Sequence, residues 1–172
     1  MITVIVGTNR PESNSFKIGK LYMEELKSQG VDSQMLQLED LAPDFIHQEM
    51  YGRRTAEFEQ IIATYIRPIT KFVFVIPEYN GSFPGVLKAF IDCVPPGEFH
   101  GKKAGLIGLS SGAAGAARAM DQFTSILNYI KVNVLYAKPK LSGIDTLLQD
   151  GVLSDERAVT GLRDQAALIK DF

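Results

Sequence analysis

Apolar positions along the chain fall into two alternating kinds of run. The first, ITVIV at 2–6, is continuous and closed by Gly7, the pattern of a strand covered on both faces. Ile18, Leu21, Tyr22 and Leu26 then recur at helical spacing, with Lys17, Lys20, Glu24 and Lys27 opposite and Gly30 as the stop. The alternation repeats down the chain. SQMLQL at 33–38, less uniformly apolar, reads as a strand nearer an edge. Phe58, Ile61, Ile62, Tyr65 and Ile69 predict a helix after Thr55 that ends or kinks at Pro68. FVFVI at 72–76 is a third strand, and Pro84 opens a helix whose apolar face is Val86, Leu87, Phe90 and Ile91. KAGLIGL at 103–109 predicts a fourth strand and VNVLYA at 132–137 a fifth. Ala116, Met120, Phe123, Leu127 and Ile130 form the helix between them, and Val159, Leu162, Ala166 and Ile169 line a last helix after Ser154.

Five strands alternating with five helices predict a three-layer α/β fold, a parallel sheet with helices on both faces and right-handed crossovers. The first and third strands are richest in Val, Ile and Phe, which puts them at the centre and the second at an edge. The order is then 2-1-3-4-5, a doubly wound sheet with its switch point between strands 1 and 3. Ligands in such sheets bind beyond the carboxyl ends of the strands at that point. The loops there are Gly7–Ser15 and Pro77–Ser82. No repeat, low-complexity tract or linker interrupts the pattern, so residues 1–172 are expected to form one domain.

Composition removes several function classes. A net charge of −2 with 22% charged residues offers nothing to a nucleic-acid backbone or an anionic membrane surface. No apolar run approaches the ~18 residues of a membrane span. MITVIVGTNR lacks the features of a secretory signal, so a cytoplasmic location is expected. The single cysteine, Cys93, excludes an internal disulfide and sits in an apolar helical stretch, as a small core residue would. His47 and His100 lie in separate segments and belong to no cluster at metal-ligand spacing.

Chemistry is concentrated in the loops. GTNRPESNS (7–15) crowds Thr8, Asn9, Ser13, Asn14 and Ser15 just before a helix, and Arg10 adds a positive charge. Free backbone N–H groups and the helix dipole favour an anion there, and a phosphate monoester suits the side-chain donors, or the loop is simply a polar turn rich in helix-capping residues. The loop is neither a P-loop nor a dinucleotide fingerprint, because it lacks Gly-Lys-Ser/Thr and Gly-x-Gly-x-x-Gly. After strand 3, Glu78, Tyr79 and Asn80 are read as an extended loop with its backbone at the cleft mouth, and Gly81 allows close approach. Such a loop would pair with the edge of a planar heterocycle; alternatively Glu78 is a solvated charge, Tyr79 a partner or core aromatic and Ser82 a cap for the helix after Pro84. SSGAAGA (110–116), after strand 4, is small enough to approach a ligand by its backbone, or is simply a tight strand-to-helix turn.

GTNRPESNS after the first strand, with PEYNGSFPGVLKAFID (77–92) after the third, resembles the NADPH-dependent FMN reductases of the flavodoxin-like fold. That family includes azo-dye, quinone and chromate reductases, and the likeness extends to the closing DGVLSDE (150–156). The resemblance implies that Thr8 to Phe16 holds the FMN phosphate through Thr8, Arg10, Ser13 and Ser15, with Asn9 and Asn14 in the same loop. It implies that Pro77, Glu78, Tyr79, Asn80 and Gly81 border the isoalloxazine, and that Ser110, Ser111 and Gly112 lie near its pyrimidine edge. Electrons would pass from NADPH or NADH through FMN to a small acceptor (flavin, quinone, azo compound or metal oxyanion). The cofactor carries that chemistry, so no catalytic acid–base dyad is required. Arg10 or Arg118 is the candidate cation for a ribose phosphate. A homodimer or homotetramer is implied too, with Tyr51, Phe83 and Phe45 as candidate exposed aromatics.

Two other readings differ in class. A response-regulator receiver shares the strand order, and AKPK (137–140) imitates its Lys-Pro, but Gly7-Thr8 and Pro77-Glu78 stand where its acidic residues belong. The third loop, Gly112-Ala113-Ala114-Gly115-Ala116, has fewer glycines than the Gly-Gly-x-Gly-Gly common among the reductases. That leaves open a flavin-weak paralogue acting as an electron carrier or interaction protein.

Overall fold

The computed structural model describes residues 1–51, 53–149 and 151–172; Asp150, at the head of DGVLSDE, lies outside them. Strands β1 (Ile2–Val6), β2 (Ser33–Gln37), β3 (Lys71–Pro77) and β4 (Lys103–Ser110) run parallel, and with β5 (Asn133–Val134) give the order β2-β1-β3-β4-β5. The order expected from the apolar runs is the one observed. The reason is visible in β3, whose side chains alternate between two cores. Phe72, Phe74 and Ile76 pack with Phe58, Phe90 and Phe123, while Val73 and Val75 pack with Ile18, Tyr22 and Leu162.

Each core has its own helices. Helices α1 (Asn14–Ser28) and α7 (Glu156–Asp171) cover the valine face; α3 (Ala56–Ile61), α4 (Gly85–Cys93) and α5 (Ala117–Tyr129) cover the phenylalanine face. Two short helices, α2 (Phe45–Glu49) and α6 (Ile144–Leu147), add to the five expected. At five and four residues neither is long enough to show a helical period. The helix after Thr55 loosens into a π turn over Ile62–Ile66 before Pro68. There Thr3 Oγ1 donates to the Tyr65 carbonyl and Gln34 Nε2 to the Thr64 carbonyl, so β1 and β2 satisfy acceptors that the turn releases. No described helix is long and apolar enough to cross a membrane.

The fifth strand departs from the expected 132–137. Only Asn133–Val134 pair with Lys103–Ala104; the chain then bulges out and returns as β6 (Lys140–Ser142) beside Gly108–Ser110. Five residues, 135–139, therefore lie opposite three on β4. Pro139 lacks the N–H that a ladder needs there. The gap is closed by Gln165 of α7, which is 1% exposed and donates from Nε2 to the carbonyls of Leu106 (2.8 Å) and Ala137 (2.7 Å). Gln165→Leu should keep the volume, strand two buried carbonyls and lower unfolding free energy by about 2 kcal/mol. A urea melt with an unmoved midpoint would show that the gap needs no such donor.

Of the three aromatics expected in exposed loops, Tyr51 is 87% exposed, Phe83 is half-buried against the core, and Phe45 is buried. Phe45 stacks on Phe58 because the unforeseen α2 turns it inward. Cys93 is buried as expected, and burial pushes its thiol up to about 11, which makes it a poor nucleophile at neutral pH. His47 and His100 are both exposed.

Candidate functional site

The carboxyl ends of β1, β3 and β4 open into a cleft of about 330 Å³. One wall is the start of α1. Ser13 caps this helix, its Oγ accepting from the Phe16 N–H at 3.1 Å. Asn14 and Ser15 are its first helical residues, so their N–H groups have no partner one turn back. No acidic residue stands in the first turn to occupy the positive end of the dipole. Arg10, Ser13, Asn14 and Ser15 all line the cleft on this side. Such a donor set suits an anion.

The second wall is Pro77, Glu78 and Tyr79. The segment expected to be extended is instead a tight turn. Asn80 (φ 52°) and Gly81 (φ 82°) are both left-handed, and Tyr79 and Ser82 exchange two backbone hydrogen bonds of 2.8 and 3.1 Å. Two successive positive φ values make a type I′ turn, for which Asn-Gly is the favoured pair. The Tyr79 N–H is thus consumed within the turn and the Glu78 N–H by the Leu109 carbonyl. The wall offers its side chains more than free backbone donors. Glu78 Oε2 is buried without a hydrogen-bond partner, and Oε1 lies 3.7 Å from Arg118 Nη1. Ser82, a candidate helix cap from sequence, instead donates to Gln122 of α5 at 2.5 Å, and Pro84 takes the cap position.

Ser110 and Ser111 form the third wall. The other candidates stand behind these surfaces. Thr8 is 1% exposed, and its Oγ1 bonds the Tyr79 hydroxyl (2.8 Å) and accepts the Arg10 N–H (3.2 Å), tying the first two walls together. Phe16 stands outside the cleft under the Lys20 ammonium. Asn9, Asn80, Gly81 and Gly112 are likewise not in the lining; the Gly112 carbonyl accepts from Ser110 Oγ (2.8 Å) and the Gly143 N–H (3.2 Å).

Sequence reading missed the cleft's fourth side, Ile144 and Asp145 on α6. Asp145 accepts from Asn14 Nδ2 (3.0 Å) and Ser111 Oγ (2.6 Å), so one carboxylate spans two walls. A strand assigned to 132–137 places residue 145 beyond the sheet. The late return of β6, at 140–142, is what carries it to the cleft. Charge in the lining is Glu12, Glu78 and Asp145 against Arg10.

Comparison with known proteins agrees with this architecture. A family model described as NADPH-dependent FMN reductase matches residues 1–141. An NAD(P)H-dependent FMN reductase of Pseudomonas aeruginosa is 37% identical over 99 residues, 54% of this chain and 53% of its own length. The chain thus spans about half the length of that relative. A quinone reductase of Pseudomonas putida is 27% identical over 161 residues, 90% of this chain and 85% of its own. Among solved structures, the flavoenzyme NAD(P)H:(acceptor) oxidoreductase FerB from Paracoccus denitrificans superimposes with a TM-score of 0.80 at 23% identity, covering 99% of this chain and 94% of that one. At that identity the likeness is one of fold. With the family match extending over most of its length, the chain belongs to the NADPH-dependent FMN reductase family and has a flavodoxin-like fold.

Proposed function

We propose that the chain is an NAD(P)H-dependent flavin reductase that uses the cleft to hold FMN and passes electrons to a small acceptor of the quinone class. The observation that carries this reading is the start of α1, a helix with no acidic residue in its first turn that opens into a walled cleft at the switch point of the sheet. Family membership supports the cofactor, and likeness to a quinone reductase supports the acceptor class.

The donor set fits a flavin phosphate. Arg10, Ser13, Asn14 and Ser15 would hold it, with the N–H groups of the first turn. Pro77, Glu78 and Tyr79 would flank the ring on one side, and Ser110 and Ser111 on the other. Thr8, Asn9, Phe16, Asn80, Gly81 and Gly112 would shape the loops rather than touch the ligand. Bound FMN supplies hydride acceptance and delivery between nicotinamide and acceptor. The chain's own part is positional. The bond between Thr8 and Tyr79 holds the first two walls at fixed spacing, and the type I′ turn fixes where the Tyr79 ring stands. One cleft serving reductant and oxidant in turn would give ping-pong kinetics. Arg10 and Arg118 are the cations available to a ribose phosphate, Arg118 being exposed beside Glu78.

The reading includes residues 1–172 acting as one FMN-binding unit, in the cytoplasm, as a homodimer or homotetramer. Exposed Tyr51, Tyr129 and Tyr136 support an assembly surface. A flavin-weak paralogue is the second reading, favoured by the three carboxylates in the lining.

Fluorescence titration of FMN beside riboflavin separates the two readings. Quenching at low micromolar FMN, with riboflavin at least about tenfold weaker, is the expected result for a site that reads the phosphate. NADPH oxidation that depends on FMN and a quinone should follow. Absence of FMN quenching would favour the paralogue.

A further inference from the structure

Within the cleft the best hydrogen-bonded anion is the chain's own. Asp145 Oδ1 takes the Asn14 amide at 3.0 Å and Oδ2 the Ser111 hydroxyl at 2.6 Å. These donors lie on two different walls, at the first residue of α1 and just past β4. Asn14 belongs to the set that a phosphate monoester at the α1 N-terminus would use, and Ser111 stands on the wall that would flank the ring. Asp145 is not there by chance of a loose side chain. Its neighbour Ile144 is 3% exposed in the core, the Gly143 N–H is tied to the Gly112 carbonyl (3.2 Å), and Ser142 Oγ donates to the Ala113 carbonyl (2.8 Å). The backbone of α6 is therefore fastened to the 110–116 loop, and Asp145 is aimed across the cleft. Asp145 and Ser111 are exposed and Asn14 is partly so, so one anion can replace another without repacking the core.

We propose that Asp145 is an internal counter-ligand, which holds the Asn14 donor against an incoming phosphate and so sets how strongly the cleft prefers FMN over riboflavin. This rests on the flavin reading above. A phosphate seated on α1 must take Asn14 from the carboxylate and also meets its negative charge at close range. Riboflavin carries no phosphate and escapes both effects. Asp145 thus acts on selectivity between phosphorylated and unphosphorylated ligands, a role distinct from holding the ring.

The test compares the unmodified chain with Asp145→Asn and Asp145→Ala, each checked for an unchanged thermal midpoint. FMN should bind about tenfold more tightly to both variants while riboflavin stays within about twofold, and raised salt should narrow the difference. Weaker or unchanged FMN binding, or an equal gain for riboflavin, would overturn the assignment and show that Asp145 organises the cleft instead. Inorganic phosphate titrated into ¹⁵N-labelled protein reads the same competition without a flavin. The Asn14 and Ser15 amide signals should move at lower phosphate concentration in Asp145→Asn. That result without FMN binding in any variant would end the flavin reading and leave the counter-ligand standing. Equal phosphate midpoints, or no response in either protein, would end the counter-ligand.

Discussion

Gly108→Ala should lower the unfolding free energy by more than about 3 kcal/mol, a thermal midpoint drop of roughly 10 °C for a chain of this size. A Cβ at residue 108 would sit 2.6 Å from the Gly115 carbonyl oxygen and 2.7 Å from Met120 Cε. Methionine can swing aside; a backbone carbonyl can move only with its loop. That loop has little room, because Gly115 itself is left-handed (φ 56°) and already packed within 2.7 Å, measured from its own ideal Cβ, of Lys140 Cβ on β6. The next residue, Ala116, is left-handed as well (φ 60°), so the turn into α5 has no slack in its dihedrals. Gly112→Ala is the internal comparison. An ideal Cβ there meets nothing within 4 Å, and its stability should change by less than about 0.5 kcal/mol. Equal midpoints for the two variants would mean that the loop yields as a body and that the close approach carries no energy. The expected contrast separates a glycine of strand β4 from a glycine of the loop that follows it.

Ser15→Asp should weaken FMN binding by about 100-fold or more while leaving riboflavin binding within a few-fold. Residue 15 is the second residue of α1 and lines the cleft where the helix presents free N–H groups. A carboxylate at this position takes those N–H groups for itself and repels a second anion. The same interaction with the helix dipole offsets part of the cost of placing a charge at a residue that is 1% exposed. Far-UV circular dichroism should therefore match the unmodified protein. An unchanged FMN affinity with the fold intact would remove the α1 N-terminus as the phosphate site. Equal loss of riboflavin would point to general distortion of the cleft.

Much of this could be read along the chain, and what could be read has a common cause. The runs at 2–6 and 72–76 are apolar at every position because both faces of a central strand are covered, and that pattern survives in one dimension. Ser13 as a cap, and Asn80-Gly81 as a turn, are local too, since each follows from the dihedral and hydrogen-bonding preferences of a few adjacent residues. The expectation of an extended loop over Glu78–Asn80 passes over the type I′ geometry that adjacent Asn and Gly favour.

Residues acting across the fold were not legible. Thr8 looks like a phosphate donor in sequence, yet its hydroxyl is committed to Tyr79, 71 positions away. Nothing in the sequence sets Gln165 apart from the other polar residues of α7, and only the gap between β5 and β6 explains why it is buried. Asp145 carried no signal at all, lying in a four-residue helix after a strand interrupted at Pro139.

The sequence by itself determined the layer architecture, the strand order, the switch-point location of the cleft and the helix start that suits an anion. These depend on burial periodicity and on short-range backbone chemistry, both written in neighbouring residues. Tertiary structure alone decided the composition of the cleft wall, its excess of carboxylates and the bond from Asp145 to Asn14. Such contacts join residues up to 131 positions apart, and their geometry depends on where a bulge lets the chain rejoin the sheet. No local preference encodes that distance.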